Sequence, residues 1–284
     1  MMPSPRRLFR RFVVGGGAIQ QGLSNLSTDL RLLMRGSRNG VVLRQKHLDG
    51  FQMVVRSDEE VGREVYYKGV FEGEETAFLK SVVGKSSVCF DVGANISYYS
   101  LLFASLIPQG SVHSFEPIPL NYHILCASSL LNGFSNVHAN LCAVGDREGE
   151  AEFVISTDSA YSSLVDTGRK PAAKTIAVPI TTLDTYCDKN NVGKIDVLKV
   201  DVEGAEGKVL SGAEQIMRDP KSRPRTVMLE LYEPMLAQYG TSVENISRKM
   251  KCFGYEAFVL SNRHLVPFER ELHGHLYNVV FIHD

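Results

Sequence analysis

The chain has 284 residues, and its 31 lysines and arginines against 32 aspartates and glutamates give a formal net charge of −1. Hydrophobic residues make up 44% of the chain, which together with the low net charge excludes a disordered protein. The near-neutral balance also argues against a protein that binds nucleic acid over its whole surface, because such binding neutralises many phosphates.

Residues 1–39 form a basic segment in which four arginines precede the first acidic residue, Asp29. Three interpretations remain open: a flexible terminus, an amphipathic segment in peripheral contact with an anionic membrane, and a targeting peptide. The longest apolar stretch here, residues 12–19, is interrupted by three glycines and is much shorter than the roughly 20 residues of a spanning helix. We therefore expect no transmembrane helix.

Five scattered cysteines contain no C-x-x-C pair. This pattern predicts reduced thiols in a cytoplasmic protein and no zinc site. Association with a membrane through the basic terminus is the open alternative to a purely cytoplasmic location.

Residues 40–83 predict a hairpin followed by a helix. Two short apolar runs, at 41–43 and 51–55, are separated by Asp49-Gly50, a signal typical of a hairpin turn. Residues 74–83 then predict a short helix that ends at Gly84.

From residue 84 onward, strand patterns alternate with helix patterns, which is typical of a parallel sheet covered by helices. The predicted strands are 87–91, 111–115, 136–144, 195–201, 226–231, 255–260 and 277–282, and predicted helices include 98–106 and 120–131. Between residues 146 and 184 the alternation is interrupted by two strand patterns, 152–155 and 175–180, around a long polar loop. We therefore predict one α/β domain over residues 84–284 with an inserted β-rich segment.

Asp91-Val92-Gly93-Ala94-Asn95 follows the first strand of this domain and precedes a helix, so it lies at the sheet edge where open α/β proteins bind ligands. Glu116 ends the next strand, where an acid commonly holds ribose hydroxyls. The G-x-G-x-x-G pattern of dinucleotide sites is absent, and an acidic loop suits a cationic ligand such as S-adenosylmethionine better than pyrophosphate. An ordinary strand–turn–helix junction capped by Asp91 is the structural alternative.

Further short motifs follow along the chain. They are Tyr98-Tyr99-Ser100, Phe115-Glu116-Pro117, Ala143-Val144-Gly145-Asp146, Leu183-Asp184 and Lys199-Val200-Asp201-Val202-Glu203-Gly204-Ala205-Glu206. Together with the Asp91 loop, they resemble the FkbM-type methyltransferases in kind and order, between about residues 67 and 230. The resemblance implies the class I methyltransferase fold, a Rossmann-like, mostly parallel seven-stranded sheet with helices on both faces and an antiparallel last strand. It also implies transfer of a methyl group from S-adenosylmethionine to a hydroxyl of a sugar, glycolipid or polyketide-like acceptor.

The resemblance also implies a set of cofactor-binding residues. By position, Asp91, Gly93 and Asn95 would line the methionine part, Glu116 the ribose, and the backbone around Ala143 the adenine. The family usually has glycine where this chain has Ser97, and a residue with a Cβ adopts positive φ at a cost of roughly 1–2 kcal/mol. If the glycine serves conformation, Ser97 weakens cofactor binding; if it only provides room, Ser97 would hydrogen-bond the cofactor carboxylate.

Three carboxylates are candidates for the base that removes the acceptor's proton. Asp201 and Glu203 follow the fourth strand and Glu230 lies near the end of the fifth, and neighbouring carboxylates raise one another's pKa. Helix capping is the structural alternative for Asp201. A divalent metal held by Asp201 and Glu230 is a further alternative, although the main prediction includes no metal.

Two other functions remain open at this point. The departure at Ser97 suggests a non-catalytic binding or scaffold protein that keeps the fold, and a nicotinamide-dependent oxidoreductase is disfavoured by the missing glycines. The expected partner is a small-molecule, glycan-linked or lipid-linked acceptor, and no nucleic acid. Residues 66–72, just before the predicted helix, are expected either to fold over the cofactor or to pack in the core.

Overall fold

The computed structural model describes residues 41–44, 50–56, 59–269 and 276–283. The predictions for residues 1–39, including the membrane contact, lie outside these residues. The domain boundaries at residues 39 and 83 stay predictions. Among the described helices, none has both the length and the apolar character needed to cross a bilayer.

The strands fall into three sheets. In chain order they are β1 (Val41–Arg44), β2 (Met53–Arg56), β3 (Val88–Val92), β4 (Ser111–Phe115), β5 (Val137–Asn140), β6 (Ala143–Val144), β7 (Gly149–Ser156), β8 (Ala172–Thr181), β9 (Val197–Val200), β10 (Thr226–Tyr232), β11 (Glu256–Ser261), β12 (His264–Pro267) and β13 (Leu276–Ile282). Strands β1 and β2 pair antiparallel, as the predicted hairpin requires.

The helices alternate with the strands of the main sheet. They are α1 (Glu60–Lys68), α2 (Gly73–Val82), α3 (Tyr98–Leu106), α4 (Pro119–Asn132), α5 (Leu183–Asn190), α6 (Glu206–Ser211), α7 (Glu214–Arg218), α8 (Glu233–Gln238) and α9 (Val243–Cys252). The predicted helices at 74–83, 98–106 and 120–131 are confirmed. Helix α3 is apolar on nearly every side, and its residues from Tyr98 to Ala104 are all buried.

Within the described residues, the central sheet has eight strands in the order β12-β11-β13-β10-β9-β3-β4-β5. Strands β5, β4, β3, β9 and β10 are parallel, and β13 runs antiparallel to its neighbours β10 and β11. The chain leaves β3 toward β4 on one side and returns to β9 on the other. Ligands of open α/β sheets bind at the carboxyl ends of the strands where the order reverses in this way.

Two details of the predicted sheet were wrong. The eighth strand, β12, extends the edge through a turn at Asn262 and Arg263, both with positive φ, and its four residues are exposed, so no apolar alternation marks it. The predicted strand at 136–144 is two strands, because β5 pairs with β4 whereas β6 pairs with β8 in a separate sheet. Apolar residues on both sides of the break made the two strands look like one.

The predicted β-rich insertion is confirmed. Strands β7 and β8 pair antiparallel and form a three-stranded sheet with β6, over a small core that contains Phe153, Val178 and Ile180. The loop between β7 and β8 begins with a 3-10 turn at Ser159–Tyr161. Asp158 Oδ2 accepts a hydrogen bond from the Glu60 amide (3.0 Å), which fixes this loop to the start of α1 beside the central sheet.

Candidate functional site

A cavity of about 300 Å³ lies at the carboxyl ends of β3, β4, β9 and β10. This volume is within the range typical of small-molecule sites. Of the nine residues predicted for the site, all but Ser97 line it. The individual roles predicted for them stay predictions.

Asp91 lies near the end of β3 and is only 1% exposed. Its Oδ2 accepts a hydrogen bond from Ser100 Oγ (2.6 Å), whereas Oδ1 has no hydrogen-bond partner among the described residues. Burial raises the pKa of this carboxyl, and the nearby Lys199 ammonium opposes that shift. A buried acceptor with a free lone pair at the cavity wall fits the ammonium group of S-adenosylmethionine.

Gly93 holds the loop after β3 against the turn after β9. Its φ is +82°, and a Cβ there would lie 1.8 Å from the Asp201 carbonyl oxygen. The amides of Gly93 and Ala94 both donate to the Phe115 carbonyl, each at 3.0 Å. The glycine is therefore required by contact between two segments of the chain, and the loop is anchored to both neighbouring strands.

Glu116 connects this loop to the end of β4. Its two oxygens accept hydrogen bonds from the backbone amides of Asn95 and Ile118, each at 2.8 Å. Burial raises its pKa to about 8, although both hydrogen bonds oppose the shift. Each carboxyl oxygen has a second lone pair, so Glu116 can also accept a hydrogen bond from a ribose hydroxyl.

Ser97 does not line the cavity, although its neighbours Ile96 and Tyr98 do. Its φ is +80°, its side chain is fully buried, and its hydroxyl donates to the Ile96 carbonyl. The family's glycine was expected either to serve conformation or only to provide room. The backbone at Ser97 has the left-handed conformation that favours glycine, which agrees with the first alternative. Ala143 lies elsewhere on the wall, where β6 brings it next to the small core of the insertion.

The carboxylates of Asp201, Glu203 and Glu230 converge, with one oxygen of each within 4.8 Å of the others. Burial and the Asp201 charge raise the pKa of Glu203 to about 8. Burial, followed by the charges of Asp201 and Glu203, raises the pKa of Glu230 well above its usual value. The raised pKa of Glu203 is closer to the working range of a general base than that of an exposed carboxylate.

Two cations that the sequence analysis did not identify lie among these carboxylates. A guanidinium nitrogen of Arg169 is 2.6 Å from Glu203 Oε2, and Lys199 Nζ is 3.0 Å from Asp201 Oδ2. Oxygen ligands of this kind suit a divalent metal, but here cationic side chains already balance two of the three carboxylates. Lys199 had a signal in the sequence, as a charged residue within an apolar strand, whereas Arg169 lies in a polar loop and had none.

The segment before α2 contributes to the cavity wall. Phe71 and Glu72 line the cavity, whereas Tyr67 is 79% exposed and does not. Glu72 accepts hydrogen bonds from the Tyr99 hydroxyl (2.6 Å) and from Asn278 Nδ2 (3.0 Å), and burial raises its pKa. Part of this segment therefore faces the candidate cofactor site.

The family model of the methyltransferase FkbM domain matches residues 91–257. Methyltransferase sdnD of Sordaria araneosa is 30% identical, over 51% of this chain and 66% of its own length. The 31-O-demethyl-FK506 methyltransferase FkbM of Streptomyces tacrolimicus is 28% identical, over 45% of this chain and 59% of its own length. The match thus spans less than two thirds of the length of either relative.

Solved methyltransferase structures superpose loosely. Precorrin-6y C5,15-methyltransferase from Geobacter metallireducens GS-15 has a TM-score of 0.44 at 11% identity, over 81% of this chain and 97% of the other. TYW2 from M. jannaschii, in complex with AdoMet, has a TM-score of 0.41 at 13% identity, over 87% of this chain and 89% of the other. These scores are too low to carry an argument. The family match covers more than half of the chain, which therefore belongs to the FkbM methyltransferase domain family and has the class I fold of S-adenosylmethionine-dependent methyltransferases.

Proposed function

We propose that the protein transfers a methyl group from S-adenosylmethionine to a hydroxyl oxygen of a sugar, glycolipid or polyketide-like acceptor. Family membership supports methyl transfer. The observation that carries transfer to oxygen is the convergence of Asp201, Glu203 and Glu230 on the cavity that the Asp91 loop lines. A hydroxyl must lose its proton as it is methylated, and these carboxylates are placed to accept one.

The cofactor would be held by the first strands of the sheet. The free Oδ1 of Asp91 would accept a hydrogen bond from the ammonium group, Glu116 would bind the ribose, and the backbone near Ala143 would face the adenine. When bound, S-adenosylmethionine supplies a methyl carbon attached to a positively charged sulfur. Acidic residues on the cavity wall favour this cationic ligand over a pyrophosphate-containing one.

The chain's own contribution to the reaction is positioning, exclusion of water and removal of a proton. The insertion loop and the start of α1 lie over one side of the cavity, since Ser159 and Glu60 both line it. A carboxylate at the ends of β9 and β10 takes the hydroxyl proton while the oxygen's electron pair forms the new bond to carbon. Orientation of reactants in this way accounts for much of the rate of such displacements.

Methyl transfer can be measured with S-adenosylmethionine labelled with ¹³C in the methyl group and a panel of hydroxylated sugars, glycolipids and polyketide alcohols. We expect a labelled methyl ether. We also expect the triple variant Asp201→Asn, Glu203→Gln, Glu230→Gln to lose turnover by about 10²–10⁴-fold while it keeps S-adenosylhomocysteine affinity. A methyl group on nitrogen or carbon, or full turnover in the triple variant, would contradict transfer to oxygen by a carboxylate base.

A scaffold protein is the second candidate, and the positive φ of Ser97 is the observation that favours it. It predicts a folded protein without affinity for the cofactor. A nicotinamide-dependent oxidoreductase predicts NADH binding instead. Titration with S-adenosylhomocysteine and with NADH distinguishes all three functions.

A further inference from the structure

The three candidate bases differ in their partners. Glu203 is paired with Arg169 at 2.6 Å, and Asp201 is paired with Lys199 at 3.0 Å. No hydrogen bond or ion pair joins the Glu230 side chain to any other described residue, although Glu230 lines the same cavity and is only partly buried. Glu230 is therefore the carboxylate of the three that is both accessible and unengaged within the described part of the chain.

Arg169 is fixed in place by aromatic rings as well as by Glu203. Its guanidinium carbon lies 4.4 Å from the ring centre of Tyr161 and 5.3 Å from that of Tyr232. The Tyr161 hydroxyl donates to the Glu60 carboxylate, so the ring beneath Arg169 is attached to α1. Cation–π contacts of this kind restrict the orientation of the guanidinium.

Glu230 and Tyr232 lie two residues apart on β10, so their side chains project from the same face of the sheet. The ring of Tyr232 thus brings the Arg169 guanidinium to the face from which Glu230 projects. An insertion loop, rather than the core of the fold, supplies the cation that pairs with Glu203.

We propose that Arg169 is a positioning residue that binds the Glu203 carboxyl group and leaves Glu230 as the base for methyl transfer. This inference rests on the proposed function. In the step, an acceptor oxygen forms a bond to the methyl carbon, the carbon–sulfur bond breaks with its electron pair going to sulfur, and the hydroxyl proton goes to Glu230. The products are a methyl ether, neutral S-adenosylhomocysteine and protonated Glu230.

The charges around Glu230 are consistent with this role. The charged groups that act on it are Asp201, Glu203, Glu72, Glu206 and Arg169. The four carboxylates and burial raise its pKa, and the Arg169 guanidinium is the opposing charge. A bound sulfonium adds a further positive charge, which favours the ionised carboxylate when the cofactor is present.

The test compares two ligands and needs no acceptor. Sinefungin is an analogue of S-adenosylmethionine in which an amine-bearing carbon replaces the methyl-bearing sulfur, so its ammonium reports the charge that faces the reacting methyl. Calorimetry gives its affinity relative to that of S-adenosylhomocysteine at several pH values. The variants are Glu230→Gln, Glu203→Gln, Arg169→Gln and Arg169→Lys, and the matched control is Lys170→Gln.

We expect Glu230→Gln to reduce the preference for sinefungin about tenfold, since one charged hydrogen bond is lost. Glu203→Gln should change it less than twofold, because Arg169 already engages Glu203. The control should also change it less than twofold, because Lys170 is exposed, 5.1 Å from the centre of the Tyr161 ring, and does not line the cavity. In an Arg169→Gln background, Glu203→Gln should reduce the preference several-fold, and Arg169→Lys should restore the wild-type behaviour. A merely structural role for Arg169 would not make the ligand preference depend on Glu203.

An unchanged preference in Glu230→Gln, or an equal loss in Glu203→Gln with Arg169 intact, would overturn the inference. If the wild-type protein binds neither ligand, the proposed function fails instead. If S-adenosylhomocysteine binds every variant, the cofactor site is intact. A wrong pattern of sinefungin preference then counts against the inference and not against the proposed function.

Discussion

Ser97 has a Cβ in a backbone conformation that usually belongs to glycine. Its φ of +80° costs roughly 1–2 kcal/mol, and its hydroxyl is directed at a neighbouring carbonyl rather than at the cavity. The strained residue lies immediately before α3, whose first two residues, Tyr98 and Tyr99, line the cavity. The residue therefore affects folding stability more directly than it affects ligand contacts.

Ser97→Gly is expected to raise the free energy of unfolding by about 0.5–1 kcal/mol, because release of the strain exceeds the added flexibility of the unfolded chain. Ser105→Gly, on the same helix but with ordinary helical geometry, should lower it by about 1 kcal/mol. Urea denaturation measures both. A destabilised Ser97→Gly variant would show that the strain is balanced by packing of the Ser97 side chain.

At the level of single residues, the sequence located the carboxylates because they end strands. Asp91, Glu116 and Asp201 each end an apolar run, and parallel strands bring such ends to one edge. Arg169 could not be located in this way, since its ion pair with Glu203 depends on how a fifteen-residue loop folds back across the sheet. Loop conformations of that length carry no periodic signal.

Between elements, the contact that shapes the site is the one between the loop after β3 and the turn after β9. Gly93 presses against the Asp201 carbonyl there, and Asp201 N donates to the Val92 carbonyl at 2.9 Å. This contact joins the candidate cofactor loop directly to the turn that carries Asp201 and Glu203. A change at Gly93 therefore alters both.

Gly93→Ala is expected to destabilise the protein by about 3 kcal/mol or more, because a Cβ and the Asp201 oxygen cannot occupy the same space. Gly73→Ala is the matched control. Gly73 lies at the start of α2 with no atom within 4 Å of the added methyl group, so that variant should be neutral or slightly stabilised. Equal thermal stability of the two variants would show that the β3–β9 junction is not tightly packed.

The predictability of the elements follows their burial. Helix α3 was located with correct ends because most of its residues are apolar and buried, and strand β4 because Glu116-Pro117 marks its end. Helix α1 was missed because charged residues alternate with its few apolar ones, and its place is determined by contacts with the insertion. Strand β12 was missed because its four residues are exposed, and among the described strands it pairs with β11 alone.

Over the whole molecule, buried carboxyl groups make the free energy of unfolding depend on pH. Burial raises the pKa of Glu206 to about 7 from its usual 4.5. The folded protein thus holds this proton more tightly than the unfolded chain, so the stabilisation is complete below about pH 4.5 and is lost as the pH rises through 7. Glu116 and Glu203, whose pKa values are raised to about 8, act in the same direction.

Glu206→Gln is expected to reduce the loss of stability between pH 5 and pH 8 by roughly 2–3 kcal/mol. Glutamine keeps an acceptor for the Val202 and Gly204 amides, and it removes the charge from an oxygen that has no partner among the described residues. Chemical denaturation at each pH measures this slope. The control Glu256→Gln, at an exposed position, should retain the wild-type slope. A wild-type slope in Glu206→Gln as well would show that the Glu206 carboxyl is not buried in solution.

We expect the cavity at the carboxyl ends of β3, β4 and β9 to bind the S-adenosylmethionine skeleton. The most direct test is calorimetric titration of the full chain with S-adenosylhomocysteine, with NADH as control and with Glu116→Gln as the matched variant. We expect saturable binding of S-adenosylhomocysteine, at least about tenfold weaker binding in the variant, and no binding of NADH. A folded protein that does not bind S-adenosylhomocysteine would contradict it and would favour the scaffold.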